Sequence, residues 1–327
     1  MRALVTGGGG FLGGAIIDKI LERGWEVRSI ARNDYPHLKS KGVATWQGDL
    51  AEDTALAEAI EGCGVVFHVA AKAGVWGSYD AYYRSNVVAT ENILTACCNA
   101  GVQRMVYTST PSVVFAGKDE SGTDESAKYP ATFLCHYAKT KAQAEQMVLD
   151  ANSAQLGVVA LRPHLIWGSG DPHLVPRILE RARKGKLRLV GSGDNRVDSI
   201  YIDNAADAHV LAAEHLNPQA PCAGKAYFIT NGEPLPMREL LNKILAAGNL
   251  PPVTRSISPG VAYAVGAALE GVYTLLRKQE EPIMTRFVAR QLSTEHWFNI
   301  QAAKNDFNYN PAITIDEGMQ FLKESLN

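Results

Sequence analysis

Two residues of this chain have the types and the spacing needed for proton transfer at a carbonyl group. Tyr137 and Lys141 stand four positions apart in a segment of helical periodicity, so both side chains are expected on one helix face. A phenol can protonate an oxygen that becomes an alkoxide, and a neighbouring ammonium group favours the phenolate. We therefore expect Tyr137 to act as an acid or base, with Lys141 lowering its pKa from about 10 towards neutral pH.

Two further polar residues are candidates for the same reaction. Thr110 belongs to a hydroxyl-rich cluster, Thr-Ser-Thr-Pro-Ser, at the end of a predicted strand, and its hydroxyl is expected to hold the carbonyl oxygen. Asn86 lies in the preceding helical segment and is expected to fix a water molecule or a backbone group in a proton relay. The alternative for Asn86 is a buried amide that satisfies a helix carbonyl.

A hydride donor for such a reaction is expected at the start of the chain. Gly7, Gly10 and Gly13 follow an apolar run that begins at Arg2, and a segment with helical apolar periodicity comes next. A strand, a glycine turn and a helix N-terminus in this order form a pyrophosphate site, to which Phe11 and Leu12 also belong. The alternative is a flexible glycine-rich turn. The context favours a dinucleotide site.

The end of the second predicted strand, residues 26–31, indicates which dinucleotide binds. Ala31 and Arg32 stand where a carboxylate would accept the ribose 2′-hydroxyl. A guanidinium without a neighbouring carboxylate favours a 2′-phosphate, so the sequence predicts NADP(H); the alternative is a solvated arginine. Further cofactor contacts are expected after the third and fourth predicted strands, from Asp49, Leu50, Ala70, Ala71 and Lys72.

Strands and helices alternate through the first half of the chain, which predicts a parallel sheet covered on both faces. The expected fold is α/β, with a Rossmann-type doubly wound sheet in residues 1–165 and a return to it by residues 199–216. Residues 166–327 are expected to form a smaller, interleaved substrate lobe. In that lobe Arg196 is a candidate partner for a substrate carboxylate, or a structural residue.

One mainly apolar stretch, residues 257–276, carries Glu270 as its only charge. Its glycines, proline and acidic residue argue against a membrane span. We expect a lid helix that packs on the substrate, and the alternative is a helix on a membrane surface.

Composition excludes several function classes. The 327 residues are 46% hydrophobic, enough for a substantial core. A net charge of −2 without a polybasic run argues against nucleic acid. The five cysteines lack paired metal spacing, so no metal site is expected. The chain opens directly into a strand and not into the charged and apolar leader of a secreted protein. We therefore expect a cytoplasmic protein, and the alternative is one that also contacts the inner membrane surface.

Taken together, these motifs resemble the extended short-chain dehydrogenase/reductase family over essentially the full length. They are the glycine turn, Asp49-Leu50, Asn86, the Thr110 cluster, Tyr137 with Lys141, and Leu161-Arg162-Pro163. Within the family the chain looks like the 3β-hydroxysteroid dehydrogenase branch. Residues 70–80, 108–113 and 294–298 resemble the bacterial 2-alkyl-3-oxoalkanoate reductases of head-to-head olefin synthesis. Val114-Phe115 departs from the Tyr-Gly of many relatives.

This resemblance implies NADPH over the glycine turn, with Thr110, Tyr137 and Lys141 as the catalytic set. It also implies that Lys141 holds the nicotinamide ribose, that Pro163 lies beside the carboxamide and that Trp76 contacts the substrate. The expected reaction interconverts a 2-alkyl-3-oxoalkanoic acid and its 3-hydroxy acid in long-chain olefin biosynthesis. The alternatives are a 3β-hydroxysteroid or sterol dehydrogenase and a non-catalytic NADP(H)-binding sensor or scaffold. Expected partners are a long-chain substrate, enzymes of the same pathway and a second copy of the chain.

Overall fold

A computed structural model describes residues 1–52 and 55–327. Its strands are β1 Arg2–Thr6, β2 Glu26–Ala31, β3 Ala44–Gln47, β4 Val65–His68, β5 Arg104–Thr108, β6 Glu120–Thr123, β7 Gly157–Pro163, β8 Ile166–Trp167, β9 Leu189–Val190, β10 Arg196–Val197, β11 Ile200–Tyr201, β12 Lys225–Ile229, β13 Leu235–Pro236, β14 Ser256–Ile257 and β15 His296–Phe298.

The helices are α1 Phe11–Glu22, α2 Pro36–Ser40, α3 Leu56–Ile60, α4 Tyr79–Tyr83, α5 Ala89–Ala100, α6 His136–Asp150, α7 Leu174–Arg183, α8 Ile202–His215, α9 Met237–Ala247, α10 Pro259–Leu275, α11 Arg286–Ser293, α12 Gln301–Phe307 and α13 Ile315–Leu326. A π-helical turn, Arg84–Val88, joins α4 to α5, and a short 3₁₀ turn, Pro111–Val113, follows β5.

The centre of the molecule is a seven-stranded sheet in the order β12-β7-β5-β4-β1-β2-β3, in which every neighbouring pair is parallel. Alternate residues of β1 enter the two cores that cover the sheet. Ala3 and Val5 pack with Ile16 of α1, whereas Leu4 packs with Ile93 of α5 on the other face. Burial on both faces explains the near-continuous apolar strands, and the predicted doubly wound α/β fold is confirmed.

The C-terminal part interleaves with this sheet more than the sequence indicated. Within residues 199–216, β11 pairs with β8 and α8 packs on α1. In addition, β12 at 225–229 pairs with β7 and forms one edge of the large sheet. The segment 166–327 therefore supplies a strand to the nucleotide-binding unit as well as its own four-stranded sheet, β13-β10-β15-β6.

The apolar stretch forms α10, which packs against α11. A Cβ atom at Gly266 would lie 2.6 Å from the Thr285 carbonyl carbon, so the small residue permits the close contact. Glu270 accepts hydrogen bonds from the backbone N and the Nε of Arg286, both 2.6 Å long. Across residues 1–52 and 55–327, no helix combines the length and the apolar character needed to cross a membrane.

Candidate active site

A cleft of about 420 Å³ crosses the carboxyl ends of the central strands. Of the residues predicted to contact the cofactor, all but Pro163 border this cleft. They are Gly7, Gly10, Phe11, Leu12, Gly13, Arg32, Asp49, Leu50, Ala70, Ala71, Lys72, Tyr137 and Lys141. Parallel strands end at the same edge of a sheet, which is where ligands bind in open α/β folds. The fold therefore brings sequence-distant residues together around one elongated cleft.

The glycine turn is shaped for close backbone approach. Gly7 has φ +70°, and its carbonyl accepts a hydrogen bond of 2.9 Å from Gly10 N. A Cβ atom at Gly13 would lie only 2.3 Å from the Gly7 carbonyl oxygen. Helix α1 starts at the next residue after Gly10, without a side-chain cap on its first N–H groups. These free donors and the positive end of the helix fit a pyrophosphate group.

A buried hydrogen-bond chain that sequence reasoning missed holds the cleft floor. Thr6 Oγ1 accepts from the backbone N–H groups of residues 69–70, both at 3.1 Å, and donates to His68 Nδ1 at 2.9 Å. His68 Nε2 donates to Thr90 Oγ1 at 3.0 Å, and Thr90 donates to the Asn86 carbonyl at 2.6 Å. Burial lowers the pKa of His68 to about 3, so the ring is neutral and joins β1, β4 and α5.

Asn86 holds a loop backbone. Its side chain accepts from Lys72 N at 2.7 Å and donates to the Lys72 carbonyl at 3.3 Å and to Thr140 Oγ1 at 3.1 Å. The amide is buried and does not border the cleft. The sequence predicted that Asn86 fixes a water molecule or backbone group in a proton relay, or that it satisfies a helix carbonyl. In the structure its side chain binds the backbone of the loop after β4, and the relay itself stays a prediction.

Tyr137 lies in the first turn of α6, partly buried beside the Tyr82 ring at a centroid distance of 6.4 Å. Burial raises its pKa to about 12, and the Thr110 side chain opposes that rise only in part. The expected lowering of this pKa by Lys141 is therefore not what the structure gives. The phenol keeps its proton at neutral pH, which suits a donor in ketone reduction.

We expected Lys141 to act on the Tyr137 phenol, but its ammonium group contacts a backbone carbonyl and a different tyrosine ring. Its Nζ donates to the Thr108 carbonyl at 2.6 Å and lies 4.1 Å from the Tyr107 ring centroid. Because the side chain is buried, desolvation lowers the pKa of Lys141 to about 7, although the carboxylate of Glu145 favours the ammonium form. The lysine is thus anchored at the end of β5, between the sheet and the cleft.

The hydroxyl cluster after β5 contains two candidate site residues, Thr110 and Ser109. Thr110 caps the 3₁₀ turn, accepting from Ser112 N at 3.2 Å and donating to Ser112 Oγ at 3.3 Å. The neighbouring Ser109 borders the cleft, and its buried Oγ has no hydrogen-bond partner among the described residues. A buried hydroxyl without a partner is costly, so Ser109 is a further candidate for ligand contact.

At the other end of the cleft, the end of β2 presents a cation. Arg32 is exposed and borders the cleft together with Tyr35. The nearby Asp34 pairs with Lys39 at 2.8 Å and does not border the cleft. Asp49 accepts from Ala51 N at 3.0 Å, a hydrogen bond that holds its pKa below the usual range. A phosphate at this end would meet the Arg32 guanidinium.

Five predicted site residues do not border the cleft: Asn86 and Thr110, described above, and Trp76, Pro163 and Arg196. Trp76 donates from Nε1 to the Lys278 carbonyl at 3.0 Å, on the segment that follows α10. Pro163 ends the buried strand β7. Arg196 is exposed on β10 of the small sheet, so the geometry gives its predicted contact with a substrate carboxylate no support.

Comparison with known proteins agrees with this architecture. The model of the 3-beta hydroxysteroid dehydrogenase/isomerase family matches residues 4–253. The 2-alkyl-3-oxoalkanoate reductase of Shewanella oneidensis is 55% identical, over 99% of this chain and 86% of its own length. The protein of the same name from Stenotrophomonas maltophilia is 54% identical over 99% of both chains. The sterol-4-alpha-carboxylate 3-dehydrogenase, decarboxylating, of Mus musculus is 34% identical over 100% of this chain and 91% of its own.

Solved structures share the fold at lower identity. A UDP-glucuronic acid 4-epimerase from Bacillus cereus, in complex with UDP-glucuronic acid and NAD, superimposes with a TM-score of 0.77 at 20% identity, over 100% of this chain and 99% of its own. A dTDP-glucose 4,6-dehydratase from Bacillus anthracis, in complex with NAD, gives 0.74 at 19% identity, over 99% and 96%. At this identity the likeness extends to the fold alone.

Proposed function

The chain belongs to the 3-beta hydroxysteroid dehydrogenase/isomerase family, and we propose that within it the protein interconverts a 2-alkyl-3-oxoalkanoic acid and its 3-hydroxy acid, in long-chain olefin biosynthesis. Relatives that span the chain are named reductases and dehydrogenases, so the predicted enzyme class, an oxidoreductase, is confirmed. The observation that carries the proposal is that the Tyr137 phenol, Lys141 and the glycine turn border one cleft.

The residues of the cleft fit a nicotinamide dinucleotide. The close contact of Gly13 with Gly7, the uncapped start of α1 and the unpartnered Ser109 hydroxyl leave space and donors for phosphate and ribose groups. The shared fold includes proteins whose structures hold NAD. When bound, the dinucleotide supplies or accepts the hydride at the reacting carbon.

The residues of this chain carry out the proton part of the reduction. Hydride addition to the 3-oxo carbon converts its carbonyl oxygen into an alkoxide, and Tyr137 gives that oxygen its phenolic proton. Thr110, which lowers the pKa of Tyr137, holds the same oxygen and stabilises the phenolate that remains. Lys141, beside the Thr108 carbonyl, orients the ribose side of the cofactor. In the reverse direction the phenolate accepts the proton of the alcohol.

We propose NADP(H) as the preferred dinucleotide because Arg32 borders the cleft, whereas Asp34, two positions further on, is paired with Lys39 and does not border it. Arg32→Ala should raise the KM for NADPH by about tenfold to a hundredfold, the worth of a charge-assisted hydrogen bond, and leave NADH kinetics almost unchanged. The measurement is kcat/KM for both cofactors at low, fixed ionic strength. Lys39→Ala is the control. Equal use of NADH and NADPH by the wild-type protein would contradict the assignment.

The names of the relatives point to a common feature of their substrates. A 2-alkyl-3-oxoalkanoate and a sterol-4-alpha-carboxylate both carry a carboxylate one carbon away from the carbon that reacts. Lys72 is suited to meet it: this residue borders the cleft, and its Nζ lies 5.2 Å from the Tyr82 ring centroid. Since Tyr82 packs beside Tyr137, we propose that Lys72, held by Asn86, binds the substrate carboxylate.

Removing this charge should affect substrates with a carboxylate only. For Lys72→Met we expect the KM for a 2-alkyl-3-hydroxy acid to rise about tenfold to a hundredfold, with the KM for the matching alcohol without a carboxyl group unchanged. The Kd for NADPH, followed by fluorescence, should also be unchanged. A similar loss on both substrates would assign Lys72 to the cofactor or to the loop structure instead.

A substrate panel tests the proposed reaction. Because 3-oxo acids lose carbon dioxide readily, the 3-hydroxy acids are assayed with NADP⁺ and the NADPH absorbance is followed, beside 3β-hydroxysteroids and a sterol 4-carboxylate. The highest kcat/KM is expected for 2-alkyl-3-hydroxyalkanoic acids. A preference for sterols would support the dehydrogenase alternative. NADPH binding without turnover of any alcohol or ketone would support a sensor or scaffold.

A further inference from the structure

The buried end of the Lys141 side chain lies against strand β5. Tyr107 and Thr108 are neighbours on this strand, so their side chains point to opposite faces of the sheet. Tyr107 packs in the core beneath α5 and α6, and its ring centroid lies 4.1 Å from Lys141 Nζ. The Thr108 carbonyl accepts a hydrogen bond from the same Nζ at 2.6 Å. An aromatic ring and a carbonyl oxygen therefore hold the ammonium group.

The carbonyl contact is fixed from the other face of the sheet. His209 of α8 is fully buried, and its Nδ1 forms a hydrogen bond of 2.7 Å with the Ala205 carbonyl. Because a carbonyl oxygen only accepts, Nδ1 carries the proton of the neutral ring, and Nε2 accepts from Thr108 Oγ1 at 2.9 Å. Burial lowers the pKa of His209 to about 4, so the ring is neutral at pH 7. Thr108 is thereby tied to α8 while its carbonyl binds Lys141.

Little negative charge is available to balance the buried Lys141 ammonium. The ionisable side chains near it come from several elements: His68 of β4, Tyr107 of β5, Tyr137 and Glu145 of α6, and Arg162 of β7. Glu145 is the only carboxylate among them, and its two oxygens accept from Arg162 at 2.9 and 2.6 Å. The three rings are uncharged, because burial lowers the pKa of His68 to about 3 and raises the pKa of both phenols. A buried cation whose counter-charge is shared needs a further favourable contact.

The face of the Tyr107 ring supplies such a contact. Its π electrons give an aromatic face a negative potential, which attracts a cation within about 6 Å of the ring centroid, most strongly where water is excluded. Tyr107 is 1% exposed and Lys141 2%. The Tyr107 hydroxyl is buried without a hydrogen-bond partner in residues 1–52 and 55–327, so the ring and not the hydroxyl makes the contact.

We propose that Tyr107 is a positioning residue whose ring keeps the Lys141 side chain charged and fixed at the end of β5. Desolvation lowers the pKa of Lys141 to about 7, so the loss of one favourable contact would neutralise the lysine near neutral pH. A neutral amine binds the Thr108 carbonyl less strongly than an ammonium group does, and would orient the cofactor less firmly. This last consequence rests on the proposed function, whereas the charge of Lys141 does not.

Fluorination of the ring tests the contact without a large change of shape. In Tyr107→Phe the aromatic face remains, and we expect the pKa of Lys141 to stay as in the wild type. With 3,4,5-trifluorophenylalanine at the same position the fluorine atoms withdraw the π electrons, and the proton affinity of Lys141 should fall about threefold to tenfold. The pKa is measured without cofactor or substrate, by NMR of protein labelled with ¹³C at lysine Cε. The Lys141 signal is the one absent from Lys141→Met.

Phe67 of β4 provides the matched control, because its ring is fully buried on the opposite face of the sheet. Trifluorophenylalanine at this position should leave the pKa of Lys141 unchanged. The free energy of unfolding in urea, measured for each protein, checks that the variants are folded. The same pKa of Lys141 with phenylalanine and with its fluorinated form at position 107 would overturn the proposal, and so would an equal fall in the Phe67 control.

The pH dependence of NADPH binding connects the charge with the cofactor. The charge of Lys141 is lost as the pH rises through its pKa, so a lower pKa moves the weakening of binding to lower pH. We expect the Kd for NADPH, followed by fluorescence, to begin its rise about half to one pH unit lower in the fluorinated protein than in Tyr107→Phe. A fall in the Lys141 pKa with an unchanged pH profile of the Kd would refute the positioning role. Absence of turnover of any 3-hydroxy acid would contradict the proposed reaction only, since the NMR titration needs no substrate.

Discussion

Tyr137→Phe is expected to lower kcat by about a hundredfold to ten-thousandfold, the usual contribution of a positioned acid or base. The change removes only the hydroxyl and keeps the ring that packs against Tyr82. Since the phenol is the proposed proton donor and not a binding group for the dinucleotide phosphates, the Kd for NADPH should stay within about threefold of the wild-type value. Steady-state kinetics and a fluorescence titration measure the two quantities.

The matched control is Tyr79→Phe. It removes the hydroxyl of a tyrosine on α4, which donates to Gln143 of α6 at 3.2 Å. It should leave kcat unchanged within about twofold, because no reacting group depends on it. Near-normal turnover by Tyr137→Phe would refute the proton-transfer role. A large loss of NADPH affinity with an unchanged kcat would reassign the hydroxyl to cofactor binding.

Glu145→Gln is expected to destabilise the protein by about 3 to 5 kcal/mol, the cost of leaving a buried charge without its partner. Glu145 is fully buried in α6 and accepts from Arg162 Nε at 2.9 Å and Arg162 Nη2 at 2.6 Å, and from the Tyr129 hydroxyl at 2.6 Å. A neutral amide can no longer compensate the guanidinium, which is only 4% exposed. The measurement is the free energy of unfolding in urea, with NADPH absent.

An exposed ion pair provides the comparison. Glu180 lies in the last turn of α7 and Lys184 directly follows the helix, with side chains 62% and 58% exposed, so Glu180→Gln should change the free energy of unfolding by less than about 0.5 kcal/mol. If Glu145→Gln were as mild as this control, water or another group would have to compensate Arg162. Because Glu145 also supports the charge of Lys141, the variant should in addition lower the pKa of that lysine further.

Local patterns allowed much of the fold to be predicted. The repeated change from strand to helix periodicity indicated the doubly wound sheet, because strands and helices differ in the period at which they bury side chains. Gly7, Gly10 and Gly13 located the turn before α1, where a Cβ atom would clash. The spacing of Tyr137 and Lys141 placed both on one side of α6, at the cleft. Each of these inferences depends on neighbours within a few positions of the chain.

Contacts between segments that are distant in the chain could not be predicted from such local patterns. The place of β12 at the edge of the large sheet depends on pairing with β7, about sixty residues earlier, and no local pattern encodes that pairing. The hydrogen bonds of Asn86 with Lys72, and of His68 with Thr6 and Thr90, likewise join separate elements. An isolated histidine or asparagine in a sequence carries no signal of such partners.

The sequence by itself determined the fold class, the family and the edge of the sheet at which the reaction can occur, since periodicity and short motifs are local properties. Tertiary structure alone decided the environment of each group. Burial made the Tyr137 pKa rise where a lysine one turn away suggested a fall, because desolvation depends on everything packed around the phenol. It also put Arg196 on the surface and turned the apolar face of α10 towards solvent, since direction in space is fixed by contacts that the linear order of residues does not contain.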